Sequence, residues 1–250
     1  MALHDKCIVK FIFIQINERK SLHVVWFNMK CILIFVTLSM SHIGISQLIQ
    51  GRILCLKFYQ SSHFTTEKLD STLQSAGFEI DYLDSMPAKS EFARLKFTYS
   101  QIWIISDLKQ HIDSSYYSDF KDYMNYGGRL YLLADNEPYD VDAELLAQHL
   151  IGNTRFIGNY IADDHGVPAD QCDINEDSSL DIYEGFTVSS IGLTSQMKPQ
   201  FMGSVGQVIV ASYQKETQKI LLDGGFTRMF TKWSDASAKY FTQAAYWLNN

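Results

Sequence analysis

The sequence predicts an α/β fold: a parallel sheet with helices on both faces and an added antiparallel hairpin. Three observations predict it. Short apolar runs, Gln101-Ile-Trp-Ile-Ile-Ser106 and Leu130–Ala134, have the length and continuity of strands covered on both faces. Segments with apolar residues at helical spacing separate the runs, so strand and helix alternate along the chain. Glycines mark the junctions at Gly77, Gly127 and Gly128, where left-handed backbone can stop a helix before the next strand.

Taken in order, Gly51–Tyr59 reads as the first strand. Thr65 can cap a helix with Glu67 in its first turn and Leu69, Leu73 and Ala76 on one face. Phe78–Leu83 alternates apolar and polar, as a strand with one exposed face does. After the strand at 101–106 comes a helix with Tyr116, Tyr117, Phe120, Tyr123 and Met124 at core spacing. The strand at 130–134 follows, then a helix capped by Asp140 or Asp142 that turns Leu145, Leu146 and Leu150 inward. From Gly152 to Phe201 the pattern is irregular, which suggests an elaborated loop or a peripheral hairpin. Gln207–Tyr213 and Lys219–Asp223 flank a polar turn and read as an antiparallel hairpin. A Gly-Gly turn then leads to a last helix capped by Ser234, with Ser237, Tyr240, Phe241, Ala244, Ala245 and Leu248 on its inner face.

The chain has 250 residues, 46% hydrophobic and 20% charged, enough for a sizeable core in one large domain. Its net charge of −7 and the lack of a basic cluster argue against nucleic acid as a partner. Met29-Lys30, the apolar run Cys31–Met40 and the small residues before Gln47 have the layout of a signal peptide. The stretch is too short and too interrupted for a stable membrane span in the mature chain. The expected organisation is therefore an extension at 1–28 that is non-native or disordered, a signal peptide at 29–46 and a single domain at 47–250. Met29 is then the true start and the protein is secreted; the alternatives are a membrane-anchored or a cytoplasmic chain. Of the four cysteines only Cys55 and Cys172 remain in the mature segment, and spacing does not say whether they are bridged.

Polar residues gather where strands end. Asp107, Asp135, Asn136 and Glu137 follow apolar runs, and Thr227 and Arg228 follow the strand that ends in Asp223. Open α/β sheets bring such strand ends side by side around a ligand crevice. The rival reading is structural, with Asp135 and Asn136 capping a helix and Arg228 neutralising a nearby acid. The cluster Asp163-Asp164-His165 contains donor types that bind divalent metals, but an exposed loop is the plainer reading. Asp173, Asn175, Asp177, Asp181 and Glu184 fall at oxygen-donor positions of a calcium loop, although Ser178 stands where the sharp turn wants glycine. The only cofactor this suggests is Ca²⁺, against a solvated acidic loop. Asp223-Gly-Gly could let backbone approach an anionic ligand, and a tight turn explains it nearly as well.

The segments Gln101–Asp107, Tyr126-Gly-Gly-Arg-Leu-Tyr-Leu-Leu-Ala134, and the closing hairpin, Gly-rich turn and helix resemble the class I glutamine amidotransferase-like superfamily, in its ThuA-like branch. The resemblance implies a flavodoxin-like or amidotransferase-like core and a sugar-related or unassigned role. Glutamine amidotransferases of this fold carry a nucleophilic Cys on the turn after the strand matching Leu130–Ala134. Here Asp135-Asn136-Glu137 stands in that place, and no Cys-His-Glu set can be assembled. The expectation is a catalytically degenerate domain, leaning away from an enzyme, that binds a small polar ligand or carbohydrate at the strand ends. Two alternatives stay open: a hydrolase using Asp135 and Glu137 with or without a metal, and a secreted protein-interaction module with a calcium-stapled loop.

Overall fold

A computed structural model describes residues 50–161, 164–175 and 179–250. The expected extension and signal peptide, and Asp163, Asp177 and Ser178, lie outside the described residues. The elements below fall in a unit spanning Leu48–Asn250. No described helix is long and apolar enough to cross a membrane.

The fold is α/β, a flavodoxin-like parallel core with helices on both faces and an added antiparallel hairpin. Strands β1 (Gly51–Lys57), β2 (Phe78–Leu83), β3 (Gln101–Ile105) and β4 (Arg129–Leu133) lie in the order β2-β1-β3-β4, all parallel. Helices α1 (Glu67–Ser75), α2 (Lys89–Leu95), α3 (Tyr117–Asn125), α4 (Val141–Ile151) and α5 (Asp235–Asn249) cover the sheet. Strict alternation inside the buried strands divides the core. Trp103, Ile105, Tyr131 and Leu133 face Leu69 and Leu73 of α1 and Phe241, Ala244 and Leu248 of α5. Ile102, Ile104, Leu130 and Leu132 face Phe92, Phe120, Met124, Leu146 and Ala147.

The hairpin joins β10 (Val208–Lys215) to β11 (Gln218–Asp223), and β11 runs parallel to β4. Its tight turn places Glu216 at φ 53°, the left-handed geometry that short hairpins need. The irregular stretch proves to be stranded: β5 (Arg155–Ile161), β6 (His165–Pro168), β7 (Ile182–Tyr183), β8 (Thr187–Gly192) and β9 (Met197–Met202). β9, β6 and β7 extend the main sheet to nine strands, while β5 and β8 form a separate antiparallel ribbon. These strands lack clean alternation of buried and exposed residues, so period-2 patterning does not reveal them. Helical spacing does not reveal α2 either, because Phe92 is its single buried residue.

The helix starts differ in detail. Thr66 rather than Thr65 is the α1 N-cap, and its hydroxyl bonds Asp70 instead of backbone. Asp140 is the α4 N-cap without a side-chain cap bond. Ser234 forms a full capping box with Ser237.

Candidate functional site

β4 delivers Asp135 to the carboxyl end of the sheet, where its side chain is only 2% exposed. Its Oδ1 accepts the Asn136 N–H at 2.8 Å and stands 3.1 Å from the Thr187 hydroxyl. The same hydroxyl is 2.6 Å from Asn136 Oδ1. One hydroxyl proton thus faces two acceptors, an arrangement that a protonated Asp135 would complete. Burial pushes the Asp135 carboxyl up to about 7, against the opposing pull of the Asn136 N–H, the Thr187 hydroxyl and the Arg228 charge.

Arg228 and Asp223 form a closed unit below this. Arg228 is 1% exposed and donates from Nε and Nη2 to the Glu184 carbonyl at 3.0 and 2.5 Å. Its Nη1 lies 3.3 Å from Asp223. Asp223, fully buried, also accepts from the Tyr131 and Tyr240 hydroxyls at 2.8 and 2.7 Å and from the Gly225 N–H at 2.9 Å. Each charge is paired and hydrogen-bonded, which is how a buried ion pair is tolerated. Thr227 accepts the Phe186 N–H at 3.1 Å, and its hydroxyl adds a small downward pull on the Asp135 carboxyl.

The chain itself fills the space above these groups. A Cβ on Gly224 would stand 2.2 Å from the Ser189 carbonyl oxygen, and one on Gly225 would stand 2.3 Å from that of Glu184. The paired glycines admit the chain's own segment 184–189 where a ligand's approach was one expectation. Asp135, Asn136, Thr227 and Arg228 therefore lie near one another, but under a lid of backbone.

Asp107 does not join them. It lies at the end of β3, where its Oδ2 is 3.5 Å from His111 Nε2. The His111 ring stacks on Phe58, just past β1, at 4.5 Å and 7°. β1 and β3 flank the point where the strand order reverses, the usual ligand crevice of such sheets. Asp142, fully buried, accepts the N–H groups of His111 and Ile112 at 2.9 and 2.8 Å and so pins this loop. Sequence pattern offers Asp142 only as a helix cap and gives His111 no sign beyond its four-residue spacing from Asp107.

Glu137 is exposed and follows neither group. It lines a groove of about 440 Å³ with Asp140, Glu144, Arg155, Phe156 and Ile157, between the β4–α4 loop and β5. Burial, and then the charges of Glu144 and Glu137, push the Asp140 carboxyl up to about 6. Glu144 is already committed, accepting from Gln148 at 2.9 Å and from the Phe156 N–H at 2.8 Å. The groove lining holds no thiol, hydroxyl or imidazole.

Among the described residues, the expected calcium donors Asp173 and Glu184 have other partners. Asp173 pairs with Lys198 at 3.1 Å, Asn175 is buried, and Asp181 is exposed. The Glu184 carboxylate turns inward to the Ser204 N–H and to Gln207. His165 pairs loosely with Asp164 at 3.9 Å on the surface. No group of three His, Cys, Asp or Glu suited to a metal occurs among the described residues. Cys55 and Cys172 are both free.

No family model matches the sequence, and no curated protein does. The fold is nevertheless shared with solved structures. A cytoplasmic protein of Salmonella typhimurium LT2 aligns at TM-score 0.54 and 11% identity, over 76% of this chain and 97% of its own. Agd3, a carbohydrate deacetylase, aligns at 0.53 and 12% identity, over 79% of this chain and 32% of its own. PurLQS from Thermotoga maritima aligns at 0.48 and 7% identity, over 78% of this chain and 97% of its own, too loosely to argue from. The chain spans about a third of the deacetylase's length. At such identities the likeness concerns the fold alone.

Proposed function

We propose that the chain is a binding domain on an amidotransferase-like scaffold, without glutaminase chemistry, and that it takes a small hydroxyl-rich ligand in the groove beside β4. One observation carries this reading. The position after β4, where the amidotransferases it resembles carry Cys, holds an Asp135 sealed beneath 184–189. The open space lies beside it, lined by Glu137, Asp140 and Arg155, which suit sugar hydroxyls, and by Ile157, half exposed as an apolar rest. About a third of a carbohydrate deacetylase shares this fold, which makes carbohydrates the first ligands to try. Calorimetric titration with mono- and oligosaccharides tests the reading. Saturable binding should weaken at least tenfold in a Glu137→Gln/Asp140→Asn variant and persist in Asp135→Asn; no binding, or binding indifferent to Glu137 and Asp140, refutes it.

The raised Asp140 favours a hydrolase as the second reading. A carboxyl pushed up to about 6 beside two further carboxylates, Glu137 and Glu144, is the arrangement from which general acid–base pairs are built. Turnover of chromogenic glycosides with a limb near pH 6, lost in Asp140→Asn, would establish it. The signal-peptide reading of 29–46 is part of the same proposal, and the mass of the mature protein from culture medium checks whether the chain starts near Gln47.

A further inference from the structure

A second cavity, of about 330 Å³, lies at the opposite end of the sheet, by the turn between β10 and β11. Lys121 and Asn125 of α3, His149 of α4, and Lys215 and Gln218 flanking the turn line it, over a floor that includes Ile220. No carboxylate is in the lining, although the chain as a whole carries a net charge of −7. Neither Lys121 nor Lys215 makes an ion pair among the described residues. Gln218 Nε2 donates to Asn125 Oδ1 at 2.9 Å, which orients the Asn125 amide and leaves its NH₂ group as a donor.

The bland explanation of basic residues here is that they answer the carbonyl ends of α3 and α4, whose last turns also line the cavity. Each helix end is equivalent to about half a negative charge. Two whole ammonium charges exceed that, and Lys215 belongs to a strand and answers no helix. Donors on three sides of a concave, partly apolar space, with surplus positive charge, make a site for an oxyanion.

We propose that this cavity binds the oxyanion of a small metabolite, a phosphate or a carboxylate group, independently of the groove beside β4. Lys121 and Lys215 supply the charge, while Asn125 and His149 add hydrogen bonds that fix the group.

The test is thermal unfolding of the protein against inorganic phosphate and, in a second arm, succinate, with sodium chloride holding ionic strength constant. A ligand bound by the native state alone raises the melting temperature in a saturable way. A saturable rise is expected with at least one of the two, and the one that binds tighter names the group. In Lys121→Gln/Lys215→Gln the half-saturating concentration should rise at least tenfold. Lys68→Gln/Lys109→Gln, which removes the same charge from exposed positions elsewhere, should bind as the parent does. No saturable response to either anion, or equal weakening in both double variants, overturns the proposal. Glu137→Gln should leave this response unchanged, so failure here is separable from failure of the sugar groove.

Discussion

Asp135 carries the clearest consequence at the scale of a single residue. Burial raises its carboxyl from 3.8 to about 7. Between those values the folded protein holds a proton that the unfolded chain has released. Its contribution is therefore full below about pH 4 and is lost as pH rises to about 7. Three units at about 1.4 kcal/mol each set the loss at roughly 4 kcal/mol. Asp135→Asn, which copies the protonated form, should match the parent in urea at pH 3 and exceed it by up to roughly that amount at pH 8. An equal pH slope in both proteins would refute the assignment. Arg228 is the opposite case, a charge whose partner is also buried. Arg228→Met would strand the Asp223 carboxylate, and equilibrium denaturation should show a loss of about 3–5 kcal/mol.

Among the elements, the segment 184–189 decides what the strand ends can do. Its backbone meets Gly224 and Gly225 more closely than any side chain at those positions allows. The Ser189 N–H bonds the Gly224 carbonyl at 2.8 Å, and the Thr187 hydroxyl reaches both Asp135 and Asn136. Gly224→Ala should cost about 2 kcal/mol or more by forcing these strands apart. Hydrogen exchange should then quicken at 185–190 while β3 and β4 stay protected; unchanged protection across 185–190 would show that this segment is not held as described. The strand-end acids were legible because an apolar run followed by Asp-Asn-Glu marks its own end. The lid was not, since Thr187 is 52 residues from Asp135 in a stretch without periodicity.

For the whole molecule, one sheet carries both hydrophobic layers, so neither face can come apart without exposing the other. Trp103 and Trp247 report on the face covered by α1 and α5, whereas far-UV circular dichroism reports on all the helices. Tryptophan fluorescence and circular dichroism should trace the same urea transition. Transitions that separate would mean that the layers fold as distinct units.

Local pattern is enough to set the parallel core, the closing hairpin and the Ser234 cap, and it puts Asp135 rather than a Cys after β4. Each is written locally, in strand-length apolar runs, in helical spacing or in the identity of a residue at a turn. Packing between distant segments sets the rest: Asp107 parts from Asp135 to meet His111, Arg228 serves Asp223, and Glu184 turns inward to Ser204 and Gln207. Those outcomes depend on which distant segments share a buried volume. A polar side chain taken out of water bonds whatever the packing sets beside it, and no local pattern encodes that neighbour.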